Sequence, residues 1–214
     1  MVIAGAKGFA KELLQVYYRD ISKREIYFFD NINKHLEDKL YDKFPIIKSN
    51  EELSQHLKND SDFALGIGTP KARKTLYDLF MNLKGTPISV ISKRTNIGNF
   101  GTFINEPGTI LDGVTITNDI LIGKGTLINL NCTIGHDSRI GDFCDISPNV
   151  NISGHCTIGN YCSIGTGTVI IPRINIGYNV TIGAGAVVTK NIPNNSLCVG
   201  VPAKVIKELE PFFI

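Results

Sequence analysis

The stretch from Leu127 to Val188, LINLNCTIGHDSRIGDFCDISPNVNISGHCTIGNYCSIGTGTVIIPRINIGYNVTIGAGAVV, carries isoleucine at every sixth position from Ile128 to Ile182, and Val188 closes the series. Followed upstream, the same step lands on Ile122, Ile116, Ile110 and Ile104. Ile97 and Ile91 keep the step but stand one residue out of phase, which predicts a one-residue insertion between Ile97 and Ile104. A strict period sustained over this length is the signature of a solenoid. Four residues after the isoleucines come small or β-branched residues, among them Val114, Thr126, Cys132, Ser138, Val150, Thr168, Val180 and Ala186. Positions two apart on a strand share a face, so each hexad sends one small and one large side chain into a common interior. Gly123, Gly135, Gly141, Gly159, Gly165, Gly177 and Gly183 directly follow an isoleucine. They are read as corner residues that need backbone freedom. Short strands and sharp corners then wrap a narrow prism.

The rest of the chain differs. From Met1 to about Ser89, short apolar runs alternate with helical patterns: strands at Val2–Ala4, Ile26–Phe29 and Asp62–Ile67, helices at Phe9–Tyr18 and Lys71–Leu83. That order predicts a small parallel βαβ sheet, and the change of period divides the chain into residues 1–89 and 90–214. With 214 residues, each part is long enough to bury a core. Lys and Arg number 22 against 20 Asp and Glu, 43% of residues are hydrophobic and 20% charged. This near-neutral balance gives no reason to expect nucleic acid as a partner. No apolar run approaches a membrane span, and Lys7 and Lys11 interrupt any signal-peptide core, so a cytoplasmic protein without a membrane partner is expected. The five cysteines have no metal-ligand spacing. Cys132, Cys144, Cys156 and Cys162 all occupy the small interior slot, where a free thiol packs as a small hydrophobe. Cys198 falls outside the repeat with no evident partner.

Hexads of the form Ile/Val-Gly-x-x-small-x resemble the hexapeptide-repeat acyltransferases. That resemblance implies a left-handed parallel β-helix of 18 residues per coil. A closer likeness spans both parts: GAKGFAKE (Gly5 to Glu12), FFDN (Phe28 to Asn31), GIGTPKARK (Gly66 to Lys74), INLNCTIGHD (Ile128 to Asp137) and VGVPAKVIK (Val199 to Lys207). In this order they resemble the bacterial nucleotide-sugar N-acetyltransferases and sialic acid O-acetyltransferases. The implied architecture is a small Rossmann-like α/β domain, then the β-helix, then a short C-terminal helix, assembled as a homotrimer. Acetyl-CoA and a nucleotide sugar are the implied partners.

Acetyl transfer from a thioester needs a base for the attacking group and donors for the developing oxyanion, and histidine is the natural base near neutral pH. His35 and His56 lie in charged stretches and read as solvated surface side chains. His136 sits on an outward corner and is followed by Asp137. By the resemblance His136 is the general base, Asp137 raises its basicity, and Asn129 matches a further polar residue of the active site. An 18-residue coil places Gly154 over His136 and His155 over Asp137. The missing side chain at Gly154 leaves room for a thioester, and His155 is read either as sharing the carboxylate or as a surface residue. Asp145 lies half a coil from His136, on a different face, so the two meet only across a subunit interface. Family members commonly carry a second His at this position, where it contacts the bound cofactor or substrate. The carboxylate here would favour an ammonium or hydroxyl-rich acceptor over an anionic one, unless it is simply a tolerated polar corner.

For acetyl-CoA the resemblance carries over Gly154, Thr166 and Ala184, lining a groove between neighbouring β-helices. Lys204 either approaches a CoA phosphate or begins a solvated C-terminal helix. For the acceptor, Gly5, Lys7, Gly8 and Phe9 form a turn into a helix N-terminus, which favours phosphate. Asp30 and Asn31 end the second strand where the family recognises the base, and Gly68 and Thr69 end a later strand near the same crevice. GAKGF lacks the third glycine of a dinucleotide fingerprint, so NAD is not expected. N-acetylation of an amino group on a nucleotide-linked deoxy sugar leads. Sugar O-acetylation, as on a sialic acid, is the nearest alternative, and a non-catalytic sugar-nucleotide sensor is a third. A metal-dependent lyase resembling the γ-type carbonic anhydrases needs three histidine ligands; the repeat holds only His136 and His155, so no metal is expected.

Overall fold

A computed structural model describes residues 1–21, 24–33 and 35–211. The first part is built from β1 (Val2–Ala4), α1 (Gly8–Val16), a π-helical turn (Tyr17–Ile21), β2 (Tyr27–Phe29), β3 (Lys39–Leu40), β4 (Phe44–Ile47), α2 (Asn50–Leu57), β5 (Asp62–Leu65), α3 (Pro70–Asn82) and β6 (Thr86–Pro87). The strands lie in the order β3-β4-β2-β1-β5-β6. All neighbours run parallel except β3, which is antiparallel to β4. Side chains alternate across this sheet. Ile3, Phe28, Ile46 and Ala64 pack under α1, while Val2, Ala4, Phe29, Phe63 and Leu65 pack under α2 and α3. The β3–β4 hairpin and α2 escaped the sequence reading. Yet α2 carries a start signal, because Ser49 accepts from the Glu52 N–H and Glu52 in turn accepts from the Lys48 N–H.

The second part is a parallel β-helix of two-residue strands. One face stacks Val90–Ile91, Thr109–Ile110, Leu127–Ile128, Asp145–Ile146, Ser163–Ile164 and Thr181–Ile182. The second face stacks Asn96–Ile97, Thr115–Ile116, Thr133–Ile134, Asn151–Ile152, Val169–Ile170 and Val187–Val188. The third stacks Phe103–Ile104, Leu121–Ile122, Arg139–Ile140, Thr157–Ile158 and Asn175–Ile176. Successive coils pair isoleucine on isoleucine, such as Ile134 on Ile152. Ile97 pairs with Ile116 and Ile104 with Ile122, so the extra residue falls between Ile97 and Ile104 as its phase requires. The isoleucines and the four cysteines of the small slot form one buried column. Each isoleucine withdrawn from water there contributes about 1.5–3 kcal/mol.

Two readings of the repeat change. The glycine after each isoleucine does not supply a left-handed conformation; that falls two residues later, at Asp119, Asn131, Asp137, Gly113 or Gly125. The glycine is required by close approach, since a Cβ at Gly135 would lie 2.6 Å from the backbone nitrogen of Gly154 in the next coil. The C-terminal segment is also not a helix. Lys204–Glu208 is an exposed strand antiparallel to Ser196–Val199. Ser196–Val199 extends the first face beside Thr181–Ile182, and its outer edge would otherwise leave backbone groups unpaired, so the chain turns at Gly200 and pairs back. Cys198 stacks on Ile182 and is fully buried, taking the isoleucine slot of one further turn.

The two parts are packed together. Val90, Leu111 and Leu127 belong to the core beneath α1, and Phe143 to the core beneath α3. Arg73 of α3 is fully buried at this junction. Its guanidinium donates to Leu65 O and Ile67 O of the first part, and to Gly125 O and Thr109 Oγ1 of the second. Arg19, beyond α1, donates to both carboxylate oxygens of Asp112 in the β-helix.

Candidate active site

His136 stands on the corner between the second and third faces, its side chain 61% exposed. Its Nδ1 and Asp137 Oδ2 share a hydrogen bond of 2.7 Å. The corner itself makes this pairing, because Asp137 takes the left-handed conformation at φ 59°, which an aspartate tolerates. The bond from His136 holds the Asp137 carboxyl below its usual range, helped by the nearby charge of His155.

The coil spacing places the next two residues as the sequence predicts. The His155 N–H donates to His136 O at 2.8 Å, and His155 Nε2 lies 3.7 Å from Asp137 Oδ2. The imidazoles of His136 and His155 meet edge to face at 5.0 Å. Gly154 lies directly against His136: a Cβ there would stand 2.7 Å from Nε2. His136, Asp137 and His155 offer donor atoms within 4.8 Å of one another, and all three are exposed.

Thr166 and Ala184 are exposed and stacked on the corner between the first and second faces, where Gly185 N–H donates to Thr166 O. With His136 and Gly154 on the opposite corner, they flank the outer side of the second face. Ala203 N–H donates to Val187 O at 2.8 Å, which sets Lys204 at the end of that face, on a strand and not on a helix. Within one chain Asn129 and His136 stand on different corners. Asn129 follows the first-face strand, is 9% exposed, and turns its Oδ1 onto Leu130 N–H.

Asp145 lies on the first face, half-buried, beneath the end of β5; a Cβ at Gly68 would be 3.5 Å from its Oδ2. Burial pushes its carboxyl up to about 6, against the opposing pull of the Arg73 charge. Burial likewise lowers the Arg73 guanidinium to about 10, with Asp145 opposing.

The carboxyl ends of β1, β2 and β5 meet in one crevice. Gly5 N–H donates to Phe29 O, and at φ +117° Gly5 approaches Gly66 so closely that a Cβ would lie 2.7 Å from its carbonyl oxygen. Lys7 precedes α1 with no side-chain cap; Gly8, the first residue of α1, is open, with nothing within 4 Å of a Cβ. Phe9 packs against the core beneath α1. Asp30 accepts from Ile32 N–H, Asn33 N–H and Asn33 Nδ2, which shapes the turn after β2, and Asn31 donates to Asn50 Oδ1. Thr69 caps α3 by position without a side-chain bond. A cavity of about 470 Å³ is lined by Lys7, Ile32, Asn33, His35 and Leu36. His35 is therefore exposed as expected, but beside Lys7 at the crevice. His56 departs from its solvated reading: it is half-buried, its ring lies 4.3 Å from Tyr27, and its Nε2 is enclosed without a partner. Burial lowers its pKa.

Among the described residues no helix is long and apolar enough to cross a membrane. No curated protein matches the chain. Residues 1–80 match the PglD N-terminal domain family. The acetyltransferase domain of PglB from Neisseria gonorrhoeae, solved with acetyl coenzyme A, is 24% identical with a TM-score of 0.87, covering 96% of this chain and 98% of that one. PerB from Caulobacter crescentus, solved with CoA and GDP-perosamine, is 25% identical with a TM-score of 0.85, covering 96% of each chain. WeeI from Acinetobacter baumannii is 27% identical with a TM-score of 0.86, covering 96% and 98%. Residues 1–80 thus match the PglD N-terminal domain family, and the chain as a whole shares the fold of PglB, PerB and WeeI, so its resemblance to the hexapeptide-repeat nucleotide-sugar acetyltransferases extends over both parts.

Proposed function

We propose that this chain is an acetyl-CoA-dependent N-acetyltransferase acting on an amino group of a nucleotide-linked sugar, with His136 as general base. The observation that carries the reading is the His136–Asp137 pair on an exposed corner with a bare glycine against its free nitrogen. With the carboxylate as acceptor, Nδ1 carries the hydrogen and Nε2 keeps its lone pair. Nε2 takes a proton from the acceptor nitrogen as that nitrogen attacks the thioester carbonyl carbon. The C–N bond forms, the C–S bond breaks, and the proton passes to the departing CoA sulfur. Asp137 stabilises the imidazolium between these steps.

Gly154 gives the thioester room beside Nε2, and Thr166, Ala184 and Lys204 bound the groove for the rest of acetyl-CoA. Lys7, Gly8 and Phe9 at the start of α1 take the nucleotide phosphates, and Asp30, Asn31, Gly68 and Thr69 complete the crevice. The crevice opens on the first face, whereas His136 stands between the second and third. The acceptor therefore meets His136 of another chain, and the working unit is a homotrimer in the cytoplasm. PerB supports an amino acceptor, having been solved with CoA and GDP-perosamine.

The test is thiol release from acetyl-CoA against a panel of amino-sugar nucleotides differing in base and sugar. Turnover of one of them to a product stable to mild hydroxylamine bears the reading out. A hydroxylamine-labile product makes it an O-acetyltransferase, and binding without thiol release makes it a sugar-nucleotide sensor.

A further inference from the structure

Asp145 is a carboxylate with nothing of its own to bind. Among the described residues no donor hydrogen-bonds its side chain. Arg73, the nearest compensating charge, spends its guanidinium on Leu65 O, Ile67 O, Gly125 O and Thr109 Oγ1. Asp145 is therefore not half of a salt bridge. Its position is also specific: Leu127, one coil before, is buried in the junction with the first part, so Asp145 is where the first face emerges under the end of β5. There the backbone of Gly68 passes without a side chain. Its oxygens are not enclosed, so they stay open to solvent on the crevice side, where a donor on a ligand can take the place of water.

We propose that Asp145 reads the acceptor and not the cofactor, accepting a hydrogen bond from the amino group of the sugar and so selecting amino-sugar over hydroxy-sugar nucleotides. The polarity of the crevice agrees. Lys7 and His35 gather positive and hydrogen-bonding capacity at the start of α1 and in the turn after β2, where a diphosphate fits. The carboxylate lies beyond Gly68, where a phosphate would be repelled and an ammonium held. This inference rests on the amino-sugar reading of the active site. The resemblance alone counts Asp145 among the cofactor-binding residues, through the second His that family members commonly carry there; its place beneath Gly68 is what favours the acceptor.

Titration calorimetry on the full chain tests it with defined probes: GDP-perosamine and other amino-sugar nucleotides, the hydroxyl counterpart of each, the bare nucleoside diphosphates, and acetyl-CoA. The wild type is expected to prefer an amino sugar over its hydroxyl counterpart by about tenfold or more, the worth of one charge-assisted hydrogen bond. Asp145→Asn, close in shape, should abolish that preference while leaving the bare nucleotide and acetyl-CoA within about twofold. Asp145→Glu, which keeps the charge on a longer arm, should retain part of it. The proposal is overturned if the wild type shows no amino preference, if Asp145→Asn leaves that preference intact, or if Asp145→Asn weakens acetyl-CoA instead. Failure of the acetyltransferase reading registers separately, as an amino sugar bound by the wild type without release of CoA thiol.

Discussion

His136 and Asp137 are consecutive in the chain and bonded in the fold, so a change at either isolates one half of a pair. His136→Ala should lower kcat by roughly 10² to 10⁴, the range for losing a general base. Binding of acetyl-CoA should survive, since in the proposed mechanism this side chain takes the acceptor's proton and the groove holds the cofactor. Asp137→Asn should cost less, because the imidazole stays on its corner and loses only its charged partner. Steady-state kinetics beside calorimetry with acetyl-CoA separate the two effects; near-full activity of His136→Ala at saturating acceptor would dismiss the base assignment. The two residues are adjacent in the sequence and their pairing as base and carboxylate came from the family resemblance; the 18-residue coil added only Gly154 and His155 beside them. Arg73 was not legible in the sequence: nothing in GIGTPKARK marks that cation as buried until α3 is laid on the β-helix.

In the coil, close approach and burial do the work. Gly135→Ala should destabilise the protein by about 1–3 kcal/mol, as overpacking against unyielding backbone does, because its Cβ would meet the Gly154 nitrogen at 2.6 Å. A thermal midpoint equal to wild type would show that the coils can part at that corner. The buried thiols give a second check. Cys132, Cys144, Cys156, Cys162 and Cys198 are all at most 1% exposed, and burial pushes Cys132 up to about 11 and Cys144 well above its ordinary value. A thiol reagent at neutral pH should label none of them in the folded protein and all of them in denaturant, since the thiolate is the reacting form. Fast labelling of the native state would mean the small slot faces outward.

At the scale of the whole molecule, the burial of Asp145 bears on stability. Its folded pKa of about 6 lies above the ordinary carboxylate value of 3.8, so the folded state holds the extra proton. Stability should therefore fall as pH rises from about 4 to about 6 and stay reduced above that, with Arg73 the charge that faces Asp145 and limits the loss. Asp145→Asn should flatten this dependence and raise the thermal midpoint at pH 7.5 relative to wild type, by an amount on the order of 1–3 kcal/mol in unfolding free energy. An unchanged midpoint at pH 7.5 would show that the carboxylate is better solvated than its place implies. Assembly is the other property at this scale. Light scattering at micromolar concentration should report three chains per particle, and a monomer would separate the acceptor crevice from the base.

The sequence by itself determined the prism. A side-chain period of six, with isoleucine and a small residue two positions apart, can bury both only if short strands stack in register, and the phase break before Ile104 shows in the structure as one extra residue. With the 18-residue coil that the resemblance implied, it also placed the corner residues, because a fixed coil length converts sequence separation into vertical contact between His136 and Gly154 or Asp137 and His155. Tertiary structure alone decided what depends on surfaces far apart in the chain. α3 set against the β-helix buries Arg73, β5 ends over Asp145, and the hairpin at the C-terminus closes the open edge that Ser196–Val199 would otherwise present. A periodic pattern encodes contacts one coil away, because each repeat meets the next in the same way. Contacts between two different architectures are not periodic, and their energies depend on which surfaces the packing brings together.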